Sequence, residues 1–304
     1  MIRIGLNILI FLLCLSYPKI SQSQWLDPST LHATAILEKI QNSSFVTHGT
    51  GFLMYNYDKP NEFIVVTCAH MIKDKNQIAV RVKPDSTFLK FLEQIEQKNF
   101  LFGNAFILGN TVRFIANLGN KDCYIHPELD IAAFRLQITS AVIKTDTGKK
   151  SIDLANVMGI PRSGIQFHRD LSLGDEVYFI GFPLGYGAND YVEPVIRSGS
   201  IAWMPTDEDF FLLDAFSFGG NSGSPIFRKR IIGSKPGKLS WSGAKLVGMI
   251  VGHQSIKLKN ILNQPDSTEL KFEVTDIDMN IGLARCIYID DIMFTINKLM
   301  EITK

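Results

Sequence analysis

The sequence predicts an all-β fold carrying one short inserted helix and one C-terminal helix. Short runs rich in β-branched and aromatic residues recur along the chain, bounded by Gly, Pro, Asn or Asp. Few long helical periods lie between them, which favours antiparallel barrels or sandwiches. Of 304 residues 46% are apolar and 20% charged, the make-up of a packed globular chain and not a disordered one.

Taken in order, the strand-like runs are 51–55, 63–67, 78–82, 112–116, 131–136, 176–180, 195–201, 210–213 and 245–251. Between the third and fourth, Thr87 to Lys98 sets Phe88, Phe91, Leu92 and Ile95 at helical spacing, the inserted helix. Gly148, Gly159, Pro161 and Gly164 punctuate residues 144–170, which read as a crossing between two β units. Ile292, Ile296, Leu299 and Met300 form the apolar stripe of the final helix.

The first 23 residues read as an export signal. Arg3 gives a positive start, Ile4 to Tyr17 is nearly all apolar, and Ser21-Gln22-Ser23 supplies small residues for cleavage. The apolar run is about 14 residues where a membrane span needs roughly 20, so cleavage and not stable membrane insertion is expected. The protein is therefore expected to be exported, periplasmic or secreted. The remaining Cys68, Cys123 and Cys286 cannot all pair within one chain; one bridge is open to them, and buried free thiols are the simpler expectation. With 31 basic and 30 acidic residues the net charge is +1, which argues against a nucleic-acid partner.

Chemistry concentrates in three places. Gly219-Gly220-Asn221-Ser222-Gly223-Ser224-Pro225 surrounds a serine with glycines, which let backbone N–H groups approach a substrate carbonyl. Val65-Val66-Thr67-Cys68-Ala69-His70 ends a β-rich run on a histidine, and His126-Pro127-Glu128-Leu129-Asp130 sets an acid before another. A serine hydroxyl becomes a nucleophile when an imidazole takes its proton and an acid holds that imidazole's tautomer. The order His70, Asp130, Ser222, at separations of 60 and 92 residues, suits two of these on one β unit and the third on the next.

These residues resemble the trypsin-like serine peptidases, and most closely their bacterial high-temperature-requirement branch. Thr67-Cys68-Ala69-His70 resembles that branch's Thr-Asn-Ala-His, and Asp130-Ile131-Ala132 its Asp-[Ile/Val/Leu]-Ala. Leu173-Gly174-Asp175-Glu176-Val177 and Gly181-Phe182-Pro183-Leu184-Gly185 resemble Leu-Gly-Asp-x-Val and Gly-x-Pro-x-Gly. Asp214-Ala215 and Asn280-Ile281-Gly282-Leu283-Ala284 complete the likeness, which runs over about residues 45–290. The resemblance implies two six-stranded Greek-key barrels: residues 24–145 with His70 and Asp130, a linker over 146–170, and 171–304 with Ser222 and the terminal helix. It implies a serine endopeptidase acting on polypeptides, with oxyanion donors at the backbone N–H groups of Gly220 and Ser222, and no cofactor. Phe216, Ser217 and Val251 would line the substrate pocket; Phe216 stands where an acid would select Arg or Lys, so a small or medium apolar side chain is expected. Asn221 replaces the usual Asp, which argues against activation by a freed N-terminus. Too little sequence follows the catalytic unit for the branch's peptide-binding module. The oligomeric state is left open.

Metal catalysis is not expected. The other histidines, His32, His48, His126, His168 and His253, are scattered, and no His-Glu-x-x-His spacing occurs. Asp276-x-Asp278-x-Asn280 starts like a calcium loop but meets Ile281 and Ile287 where Gly and Glu belong. The competing class is a catalytically silent protease-like fold that binds a peptide or partner.

Overall fold

The computed structural model describes residues 28–302 apart from 43, 60–61, 84–98, 103–104, 109–110, 139–140, 146–147, 153–156, 189–191, 230–233, 236–237, 240–243 and 259–276. The expected signal and the expected inserted helix over 87–98 lie outside the described residues.

The chain forms two β units. The first comprises β1 (Thr34–Gln41), β2 (Ser44–Tyr55), β3 (Glu62–Thr67), β4 (Gln77–Val82), β5 (Asn99–Phe102), β6 (Ala105–Leu108), β7 (Thr111–Asn117), β8 (Cys123–Ile125) and β9 (Ala132–Gln137). These make one antiparallel sheet in the order β5-β6-β7-β4-β1-β2-β3-β9-β8. Six strands were expected here. The hairpin β5–β6 adds itself beside β7 and the short β8 beside β9, so the unit is a nine-stranded half-barrel instead of a closed ring. Its concave face holds Phe52, Phe114 and Phe134, all fully buried.

A hairpin of β10 (Ala141–Thr145) and β11 (Gly148–Ile152) opens the crossing segment. Beyond it, Met54 bridges Ile160 and Ile165 bridges Leu246, so the crossing strand is stitched to both units. The second unit is the expected closed six-stranded barrel: β12 (Glu176–Gly181), β13 (Val195–Trp203), β14 (Phe210–Asp214), β15 (Pro225–Arg228), β18 (Lys245–Leu258) and β19 (Ile277–Tyr288), ordered β12-β13-β14-β19-β18-β15. A minor hairpin, β16 (Ser234–Lys235) with β17 (Lys238–Leu239), lies between β15 and β18. Phe179, Phe211, Ile226 and Val247 fill this barrel. Cys68, Cys123 and Cys286 are free thiols.

The expected C-terminal helix spans Ile289–Glu301. Its apolar stripe of Ile292, Ile296 and Leu299 packs into the core of the first unit, with Phe63, Ile64 and Leu136. Arg135 fixes the docking, donating to Glu62 at 2.6 Å and to the Leu299 carbonyl at 3.0 Å.

One buried charge cluster sets the position of β1. Glu38, 1% exposed, accepts two hydrogen bonds from Arg113, at 2.7 and 3.3 Å. Arg81 lies 2.9 Å from the same carboxylate as a charge contact whose Nε–H is not aligned for a hydrogen bond. Removing one member of such a cluster strands the others. Glu38→Gln is predicted to lower the unfolding free energy by about 3–5 kcal/mol, measured by urea denaturation; a loss below about 1 kcal/mol, the scale of an exposed pair, would show the cluster to be hydrated.

Candidate active site

His70 sits on the one-turn helix Ala69–Ile72 that follows β3. Asp130 lies just before β9, which pairs with β3 through Thr67↔Ala132, so this register sets the acid beside the histidine. The carboxylate grips His70 twice: Oδ2 lies 2.6 Å from Nδ1, and Oδ1 accepts the His70 backbone N–H at 2.9 Å. Burial pushes the Asp130 pKa up, but the ring and backbone hydrogen bonds from His70 outweigh it and hold the carboxyl below its ordinary value. Its stabilising contribution is therefore present above the ordinary carboxylate pKa and lost as pH falls through the lowered one.

Ser222 stands half-buried on the loop before β15. Gly220 (φ +93°) and Gly223 (φ +89°) give the loop its shape, and a side chain at either would collide with backbone: a Cβ would lie 2.2 Å from the Phe182 carbonyl oxygen or 1.9 Å from that of Thr50. The N–H groups of Asn221, Gly223 and Ser224 donate to Phe218, Ile250 and Asn221. Those of Gly220 and Ser222, the expected oxyanion donors, have no acceptor among the described residues.

The loop abuts the histidine turn. The Ser222 carbonyl accepts from Thr50 N–H at 3.0 Å, and the Ile250 carbonyl accepts both from Gly223 N–H and from the Cys68 thiol, two residues before His70. No hydrogen bond joins the Ser222 hydroxyl to the His70 imidazole. Cys68, His70 and Asp130 offer ligand atoms within 4.8 Å of one another. They suit a metal poorly, since burial first, then the Asp130 charge, pushes the Cys68 thiol well up and keeps it protonated, and the Asp130 carboxylate is engaged by His70.

The expected pocket residues lie on the second barrel's side of the loop. Phe216 is half-exposed, stacks against Phe218 at 6.3 Å and covers Gly282. Ser217 is buried and its carbonyl accepts from Asn280. Val251 follows Ile250 in β18, whose N–H donates to Ser224.

Thr50 went unnoticed in the sequence. Its hydroxyl donates to the Gly220 carbonyl at 2.6 Å and accepts from Phe182 N–H at 3.2 Å, while its carbonyl accepts from the Thr67 hydroxyl. Thr50→Val removes the hydroxyl but keeps the shape, leaving a buried donor and acceptor unpaired. We predict a loss of about 1–3 kcal/mol on unfolding, restored by Thr50→Ser; equal losses in both variants would mean that the methyl matters and not the hydrogen bonds.

A profile of the trypsin-like peptidase domain matches residues 49–233, a range holding His70, Asp130 and Ser222. No curated protein matches the sequence significantly. Among solved structures, HtrA-type protease AlgW with a decapeptide is similar at a TM-score of 0.51 and 14% identity, over 90% of this chain and 66% of that one. A serine-to-alanine variant of AlgW with a tripeptide gives 0.50 and 16%, over 90% and 62%. The chain thus spans just under two thirds of their length, and at these identities the likeness is one of fold.

Proposed function

We propose that the chain, which belongs to the trypsin-like peptidase domain family, is an exported serine endopeptidase. The observation that carries this reading is the double grip of Asp130 on His70. It fixes the ring with Nδ1 protonated and leaves Nε2 free to act as a base. In the proposed mechanism Nε2 takes the proton of the Ser222 hydroxyl as its oxygen adds to the scissile carbonyl. The oxyanion that forms is held by the N–H groups of Gly220 and Ser222, such donors each being worth roughly 2.7–4 kcal/mol in the transition state. His70 then passes its proton to the departing amine, and water, activated by the same ring, hydrolyses the acyl-enzyme.

The lack of a hydrogen bond between Ser222 and His70 in this structure is compatible with that role, since catalytic hydrogen bonds commonly tighten only when substrate binds. It is also the observation favouring the second reading, a catalytically silent peptide-binding protein. The AlgW structures hold peptides, and we assign a polypeptide substrate here, with Phe216, Ser217 and Val251 receiving a small or medium apolar side chain. Residues 1–23 are assigned to export; a mature N-terminus near Gln24, read by N-terminal sequencing, is the expected outcome, and an intact leader would remove that assignment.

Ser222→Ala should abolish labelling by a fluorophosphonate probe, whereas Asp130→Asn should cut kcat by about 10⁴ with the fold intact. Absence of labelling in the natural protein would favour the silent reading. A loss of only a few-fold in Asp130→Asn would remove the aspartate from the mechanism.

A further inference from the structure

A cationic groove opens beside the histidine turn. Its volume is about 730 Å³, and Lys39, Gln41, Lys75, Asn76, Gln77 and Asn117 contribute to its lining. Lys39 comes from the end of β1, Lys75 and Asn76 from the turn after the His70 helix, and Asn117 from the end of β7. The Lys75 ammonium donates to the Met71 carbonyl at 2.5 Å and lies 3.4 Å from Nε2 of His48. His48 in turn precedes Gly49, where an added Cβ would touch both Met71 and the Ser222 carbonyl oxygen. The His48–Gly49 pair thus links Lys75, on the groove's lining, to the nucleophile loop, although neither residue lines the groove itself.

Neither Lys39 nor Lys75 forms an ion pair among the described residues, and Asp74 offsets the charge of Lys75 only in part, since the net shift of the ammonium is downward. Burial first, then the charges of Lys75, Lys39 and His70, push His48 down to about 4, so it stays neutral and accepts from Lys75. Burial and then Lys39 also lower the pKa of Lys75. Two ammonium groups held together at a cost invite an anion, and the side-chain amides around them supply further donors.

We infer that this groove receives an acidic side chain of the polypeptide substrate, close to the bond being cleaved. The inference rests on the peptidase reading and adds a charge requirement to it. Polyanion binding without regard to peptide sequence is the alternative occupant, and the experiment separates the two.

The experiment uses peptides that differ only by Glu, Gln or Lys at each position flanking the cleaved bond. The natural protein should favour Glu at one position by about three- to tenfold in kcat/KM, an advantage that shrinks at about 0.5 M salt as screening tightens. Lys39→Gln with Lys75→Gln should bring the ratio close to unity. Lys75→Glu should invert it, favouring Lys over Glu at the same position, a gain that misfolding cannot imitate. Cleavage with no Glu preference at any position overturns the inference and leaves the peptidase reading standing. If no peptide is cleaved, the peptidase reading fails. Fluorescence anisotropy of the same labelled peptides then decides the groove, and equal affinity for Glu and Gln forms overturns it. A loss of Glu and Gln affinity alike in the lysine variants assigns the groove to sequence-blind binding and likewise overturns it.

Discussion

The architecture of the site depends on Thr50, a buried residue at which three distant stretches of chain meet. Its N–H holds the Ser222 carbonyl, its hydroxyl joins Gly220 to Phe182, and its own carbonyl receives Thr67. Every polar group of the residue is thereby committed, as a fully buried position requires. The consequence is mechanical: the loop bearing Ser222 is anchored to a strand of the opposite unit. The seam is also crowded, since the close approaches at Gly220 and Gly223 leave no room for a side chain.

Much of this was legible in the sequence, and the exceptions have physical causes. All nine predicted strands exist, because each is a run rich in β-branched and aromatic residues bounded by turn residues, and β3, β4 and β9 are buried along nearly their whole length. The missed strand β1 carries Glu38 in the core, and a buried carboxylate matched by Arg113 and Arg81 disguises an interior position as a surface one. Strand β15 was missed because it has only four residues and starts with proline. The pairing of His70 with Asp130 was foreseeable from residue type and order. The work of Thr50 was not, for its hydroxyl meets a carbonyl 170 positions away and nothing local marks it. The same holds for Lys39, His48 and Lys75, whose proximity is created by the sheet.

The two units contribute differently to the site. The first supplies the His70–Asp130 pair through the β3–β9 register, and the second supplies a loop whose Gly220 and Ser222 N–H groups have no acceptor among the described residues. The positive φ of Gly220 and Gly223 gives that loop a conformation other residues rarely adopt.

The docking of the last helix reaches beyond stability. Arg135 is 7% exposed and one of its acceptors is the carbonyl of Leu299, while Phe63, Ile64 and Leu136 share their core with Ile292 and Leu299. The apolar face around Phe63, Ile64 and Leu136 is closed only when Ile292 and Leu299 dock on it, so the unit built from the first half of the chain is completed by the residues that come last.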